Sequence, residues 1–255
     1  KIIQNSDFDE HAVESFLRFM QRSTESSVSG TPSYLRTHPF FYERLADIQN
    51  RLQKSRFKQI PDSLAFNLVK ARVRARSDFP ENSVKRFLTQ LNSRNYISEI
   101  TVVYGLVYSL YLARQYEYAA EMGNYLLGLN SDDPMILALV GSVLVKAGDF
   151  DGGLYLFEKA LVDFPNRLSL AYRYANSLLD IGRPAQAVNF LDNIIFNYKH
   201  EPRLFRLQAK GYAAIGNHLL QHRAQAEAYF YEGEITMAIE QLKLAKATNK
   251  GNFFE

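Results

Sequence analysis

The chain has 255 residues, 47% apolar and 22% charged, with a formal charge of +3; this is long enough for a sizeable core and ordinary for a globular protein. With no cysteine, disulfides, thiol nucleophiles and thiolate metal sites are excluded. No apolar run approaches the roughly 20 residues of a membrane span. Nucleic-acid binders concentrate basic residues on one face. Here the one dense basic stretch runs from Lys54 to Arg76 (Lys54, Arg56, Lys58, Lys70, Arg72, Arg74 and Arg76), and a solvated charge run is the expectation. No signal peptide is visible. The chain opens on Lys1 rather than methionine, as expected of an internal or processed boundary.

In chain order, residues 9–21 predict an amphipathic helix with Ala12, Val13, Phe16, Leu17 and Met20 on one side. Residues 22–33 are rich in Ser, Thr and Gly and are expected to form a mobile loop. A second helix follows at 41–53, burying Leu45, Ile48 and Leu52. Residues 62–76 and 81–92 read as a helical pair. Leu64, Leu68, Ala71 and Ala75 share one face of the first, and Val84, Phe87, Leu88 and Leu91 one face of the second. Pro80 suits the start of the second helix. The alternation from Lys70 to Arg76 is compatible with a strand, but its helical neighbours decide for a helix.

A period of 34 residues then takes over, marked by Arg114, Gly148, Gly182 and Gly216. Each glycine follows an apolar run such as Leu144-Val145-Lys146-Ala147 or Leu178-Leu179-Asp180-Ile181, where a left-handed residue ends a helix at little cost. Small residues come next, Ala119, Gly153 and Ala187, letting paired helices approach. Leu144, Phe157 and Leu161 fill the gap between pairs, and Pro165 stops the second helix. In residues 134–165 the positions Gly141, Leu144, Gly148, Phe150, Phe157, Ala160 and Pro165 all fall in phase. This pattern resembles the tetratricopeptide repeat. The expected fold is therefore all-α: a right-handed superhelix of helical pairs preceded by a short helical tail. Gly233 follows Gly216 by only 17 residues, half a period. Residues 218–231 are thus expected to form one extra helix that partners both neighbours, followed by 236–247 with Ala238, Leu242 and Ala245.

In such arrays the first helix of each pair lines a concave groove. The corresponding positions are Tyr104, Tyr108 and Tyr111, then Ser142 and Lys146, then Tyr172 and Asn176, then Arg203, Arg206 and Lys210. One end of the groove is expected to be tyrosine-rich and the other basic. Tyrosine offers a large contact area with few rotors to freeze, and the basic residues favour acidic segments or a chain terminus. The tyrosines are equally compatible with packing against an extra helix or another domain. The lysine and asparagine clamp of chaperone-tail adaptors is not expected, because only Asn176 fits it.

The chain carries no HExxH, no Gly-rich phosphate loop and no GxSxG. His218 and His222 stand four apart on one helix, a spacing that suits a metal, but no third ligand accompanies them. His38 lies in Leu35-Arg36-Thr37-His38-Pro39, followed by Arg44-Leu45-Ala46-Asp47. This segment resembles the tail of the HExxH zinc metallopeptidase domain of the HtpX and CAAX-prenyl protease kind. Together with the repeats, the chain is similar to the BepA-like subgroup, bacterial periplasmic metallopeptidases that enhance β-barrel assembly. The resemblance covers essentially the whole chain. It implies that residues 1–56 end a peptidase domain and residues 57–255 form the repeat domain.

In that family two histidines and a glutamate bind zinc, with the motif's glutamate as general base. By the resemblance these would precede Lys1, so the chain itself is expected to be catalytically incomplete and metal-free, with zinc in the parent protein. His38 matches a histidine that can approach and regulate the zinc. Its alternative role is to cap, or be buried at, the start of the helix at Phe41. The resemblance further implies a periplasmic location, an upstream peptidase domain as partner, and polypeptides or outer-membrane assembly proteins in the groove. A rival reading is a free-standing repeat scaffold with no peptidase relative, in which residues 1–60 are only a helical cap. A weaker rival is a nucleic-acid binder using Lys54 to Arg76, which strongly salt-dependent binding would reveal.

Overall fold

Several helices of this chain begin where a proline or a side-chain acceptor meets free N–H groups, and several end where a residue takes a positive φ. The structure is a computed structural model describing residues 11–25, 41–52 and 61–248, and among the described residues no strand occurs. The chain divides into two compact units, residues 1–63 and 64–255.

The first unit holds α1 (His11–Glu25) and α2 (Phe41–Leu52), which pack on each other. Leu17 and Leu52 are buried there, whereas Leu45 and Ile48 of the expected face are only partly buried and Phe16 is exposed. Gln49 Nε2 donates to Glu14 Oε1 at 2.8 Å and ties the two helices together. One expectation needs correction: α1 continues to Glu25, so residues 22–25 are helix rather than loop. An acidic first turn (Glu14) and a basic last turn (Arg22) both suit the helix dipole. The rest of the expected loop, His38, and Lys54, Arg56 and Lys58 lie outside the described residues.

The second unit is a run of helices: α3 (Leu64–Arg76), α4 (Pro80–Asn92), α5 (Glu99–Leu112), α6 (Tyr116–Leu129), α7 (Pro134–Ala147), α8 (Phe150–Asp163), α9 (Leu168–Asp180), α10 (Pro184–Ile195), α11 (Pro202–Ala214), α12 (His218–Glu232) and α13 (Ile235–Thr248). A 3-10 turn, Phe196–Tyr198, follows α10. Prolines occupy the first turn of α4, α7, α10 and α11, where no N–H is missed. The Asp133 carboxylate accepts from the backbone N–H of Met135 and Ile136 at the head of α7, and Asp149 accepts from Gly152 at the head of α8. Gly148, Gly182 and Gly216 take φ of 95°, 75° and 77°, and Arg114, at the same place in the period, takes 58°. A left-handed residue with a Cβ costs about 1–2 kcal/mol, so Arg114 holds this turn against its own preference.

The first helices of successive pairs, α3, α5, α7, α9 and α11, touch in order and form one layer. The second helices α4, α6, α8 and α10 each pack between two consecutive first helices. Helix α12 packs extensively on both α11 and α13, as the half-period spacing of Gly233 implies. Residues 102–110 of α5 and 136–145 of α7 are buried without interruption, because α5 packs against α3, α4, α6 and α7, and α7 against α5, α6, α8 and α9. The largest cluster of the core joins Leu68, Ala71 and Ala75 of α3 to Phe87, Tyr104, Leu106, Leu110, Leu126 and Leu139. This burial takes Tyr104 and Tyr108 out of the groove and matches the other reading of them, packing against neighbouring helices. They are 1% and 4% exposed and belong to the core, because α3 and α4 close over this side of α5.

Candidate functional site: a cleft across the first helices

The array's first-helix layer carries a cleft of about 200 Å³. It is lined by Tyr111 from α5, by Ser142, Val145 and Lys146 from α7, and by Tyr172, Arg173, Asn176, Ser177 and Asp180 from α9. Tyr111, Lys146, Tyr172 and Asn176, expected from the repeat phase, thus come together. They do so because the 34-residue period puts equivalent turns of neighbouring first helices side by side. The same register places Lys146 and Asp180, one period apart, in an ion pair with Nζ to Oδ2 at 2.8 Å. Asn176 Nδ2 also donates to Asp180 Oδ2 at 3.2 Å, and Lys210 Nζ stands 3.9 Å from Oδ1. One carboxylate therefore gathers two lysines and an amide at the rim.

At the α11 end, the Arg203 guanidinium lies over the Tyr172 ring at 5.2 Å. The Tyr172 hydroxyl donates to Glu201 Oε2 at 2.7 Å. Burial, then that hydrogen bond, push the phenol well above its ordinary pKa, so it stays a donor at neutral pH. Arg206 turns away from the cleft. Its Nε donates to Glu232 at 2.8 Å, and its guanidinium covers the Tyr229 ring at 5.2 Å. At the α5 end, Tyr108 is roofed by the Arg72 guanidinium, 5.0 Å from the ring centroid. Tyr111 is partly buried and stacks beside Tyr108, with ring centroids 6.5 Å apart.

The phase argument missed Arg173, which sits one residue beyond Tyr172 and is partly buried. Its Nη1 donates to Ser142 Oγ at 2.9 Å, and Ser142 in turn donates to the Ala138 carbonyl at 2.8 Å. A sequence signal for it existed: an arginine amid the buried stripe of Leu170, Ala171, Ala175 and Leu178. Arg72 was read only as part of a charge run. Lys70, Arg74 and Arg76 of that run are exposed, whereas Arg72 is partly buried against Tyr108. The two paired-histidine candidates do not converge. His218 Nδ1 lies 3.0 Å from Gln221 Oε1, and His222 Nδ1 lies 2.9 Å from Gln241 Oε1. Among the described residues no three His, Asp or Glu side chains come together as metal ligands, so these residues do not fit a zinc centre. No helix among them is long and apolar enough to cross a membrane.

A family model described as a tetratricopeptide repeat matches residues 144–211, which contain α8 to α10 and most of α11. Over 251 residues the chain is 27% identical to the beta-barrel assembly-enhancing protease of Escherichia coli (strain K12), with 98% of this chain and 51% of that protein covered. The chain is a tetratricopeptide-repeat relative of that protease. The protein of the same name from Shigella flexneri matches over the same 251 residues at 27% identity. The chain spans about half the length of the curated relatives it matches, 51% of each. Among solved structures, YrrB, titled a TPR protein with an unusual peptide-binding site, superimposes with a TM-score of 0.49 at 15% identity, covering 76% of this chain and 97% of that one.

Proposed function

We propose that the repeat array is the polypeptide-binding module of a periplasmic zinc metallopeptidase of the beta-barrel assembly-enhancing kind, and that the cleft on its first-helix layer is where polypeptides dock. The cleft carries the reading. Tyr111 and Tyr172 provide flat apolar contact with hydroxyl groups, while Lys146, Arg173, Asn176 and Asp180 provide hydrogen bonds for a main chain or polar side chains. Helical arrays expose such a layer without needing to move, so a bound segment supplies most of the ordering cost. The name of the relatives supports outer-membrane polypeptides, or the machinery that assembles them, as occupants. Peptide-bond hydrolysis would belong to zinc ligands supplied from outside the described residues.

The test is binding of a fluorescently labelled, urea-unfolded outer-membrane barrel protein, diluted into buffer with the array. Tyr172→Ala combined with Asn176→Ala is expected to weaken binding about tenfold or more, as loss of a central anchor does, with helical circular dichroism unchanged. Binding at the wild-type level would remove the cleft from the account. His38 is proposed as the residue that approaches the zinc in the whole protein. His38→Ala is expected to change the rate of casein cleavage by the full-length enzyme; an unaltered rate and unaltered zinc content would leave His38 as a structural residue.

A further inference from the structure

Arg72 and Arg173 reach the same inner region of the array from helices α3 and α9, and neither has a carboxylate partner among the described residues. Of the other cations near the cleft, Lys146 and Lys210 are paired with Asp180, and Arg203 lies over the Tyr172 ring. Arg173 makes one hydrogen bond, to Ser142 Oγ, which holds the guanidinium in place. Its other N–H groups are not sealed from solvent, since the only buried side-chain polar atoms without a partner among the described residues are Ser83 Oγ and Thr101 Oγ1. Arg173 itself forms part of the cleft wall. Burial, then the nearby charge of Arg72, pull the Arg173 guanidinium below its ordinary pKa. It remains charged at neutral pH, so the fold holds a desolvated cation beside a like charge at a cost to its own stability.

Resting on the proposed groove, we propose that Arg173 receives the side-chain carboxylate of an aspartate or glutamate from a polypeptide lying across α5, α7 and α9. Several observations favour this occupant. An arginine fork matches a carboxylate with two parallel hydrogen bonds. At about 200 Å³ the cleft lies below the ~300 Å³ at which pockets for drug-sized ligands begin, which suits one inserted side chain. It also lies in the middle of the first-helix layer, between α3 and α11, rather than at an end. A chain passing there presents side chains, not its terminus. Tyr111 and Val145 offer apolar surface for the methylene groups of the acidic side chain. The donor proposed for the carboxylate is the Arg173 fork, which the Ser142 hydroxyl oxygen holds in place by accepting from Nη1.

The experiment uses two labelled dodecapeptides of serine, alanine and tyrosine, acetylated and amidated at their ends, with a single central glutamate or glutamine. Fluorescence anisotropy against the full chain is expected to show the glutamate peptide binding about ten- to a hundredfold tighter, the range of a charge-assisted pair, with the difference shrinking in high salt. Arg173→Met is expected to equalise the two peptides while its thermal midpoint stays level or rises, because an unpaired desolvated charge has been removed. A structural arginine would instead show a lower midpoint. Should Arg173→Met fail to fold, Arg173→Lys, which keeps the charge and loses the fork, is expected to keep only part of the preference.

Equal affinity of the two peptides for the wild type would overturn the inference and leave the groove reading standing. So would an undiminished preference in Arg173→Met. Binding that requires a free C-terminal carboxylate instead of the glutamate would overturn it in favour of a chain end. Failure of both peptides and of the unfolded barrel protein would remove the groove reading together with the inference.

Discussion

Gly153→Ala is expected to lower stability by about 2 kcal/mol, and Gly153→Val by more, within or beyond the ~1–3 kcal/mol that overpacking usually costs. Helices α7 and α8 meet at Gly141 and Gly153. A Cβ on Gly153 would stand 2.6 Å from Val145 Cγ2, 2.7 Å from the Gly141 carbonyl oxygen and 3.0 Å from the Val145 nitrogen. Two of these neighbours are backbone, so no rotamer change relieves the contact and the helices must part. Phe157 limits that movement, since it is wholly buried and its ring stands 3.1 Å from where a Cβ on Gly141 would lie. Denaturant melts of the variants measure the loss. Gly128 in α6 is the control: a Cβ there meets nothing within 4 Å. Gly128→Ala is expected to be neutral or to stabilise by up to about 1 kcal/mol, as alanine does in a helix interior. An unchanged midpoint for Gly153→Val would contradict the close approach of these helices.

Tyr104→Ala is expected to cost about 3–5 kcal/mol, the range for deleting a buried aromatic side chain. Tyr104 is 1% exposed within the largest core cluster, beside Leu68, Phe87 and Leu106. Against a total stability of about 5–15 kcal/mol this threatens folding itself. Tyr104→Phe preserves the volume and is expected to cost less than about 1.5 kcal/mol. Polypeptide binding by Tyr104→Phe is expected to equal that of the wild type. Impaired binding by a fully folded Tyr104→Phe would return this residue to the groove.

The repeat phase made most of this architecture legible. Residues 34 apart do end the first helices in left-handed turns, Ala119 and Ala187 are fully buried, and the half-period at Gly233 does insert one helix. These features are local: a backbone sign, a missing side chain, a count along the chain. For Tyr104 and Tyr108 the sequence left groove and packing equally open, because their burial depends on α3. Nothing in a periodicity says how closely a degenerate first pair folds over the next one. Arg173 escaped for a different reason. A first helix three turns long offers two adjacent stripes to the groove, and the phase argument followed Tyr172 and Asn176 alone. What distinguishes Arg173 is the lack of an acidic partner, a property of the neighbouring helices rather than of α9. Lys146 and Asp180 show the converse, since an ion pair one period apart can be read from spacing as soon as the period is known.

The central claim is that polypeptides lie on the first-helix layer. The most direct measurement replaces single residues by a photoreactive phenylalanine and maps cross-links to an unfolded outer-membrane barrel protein. Lys146 and Asn176 sample the cleft, while Tyr155 and Val162, 64% and 80% exposed, sample α8. Cross-links from Lys146 and Asn176 with none from Tyr155 or Val162 are the expected result. Cross-links from α8 with none from the cleft would contradict the account and move the binding surface to the second helices.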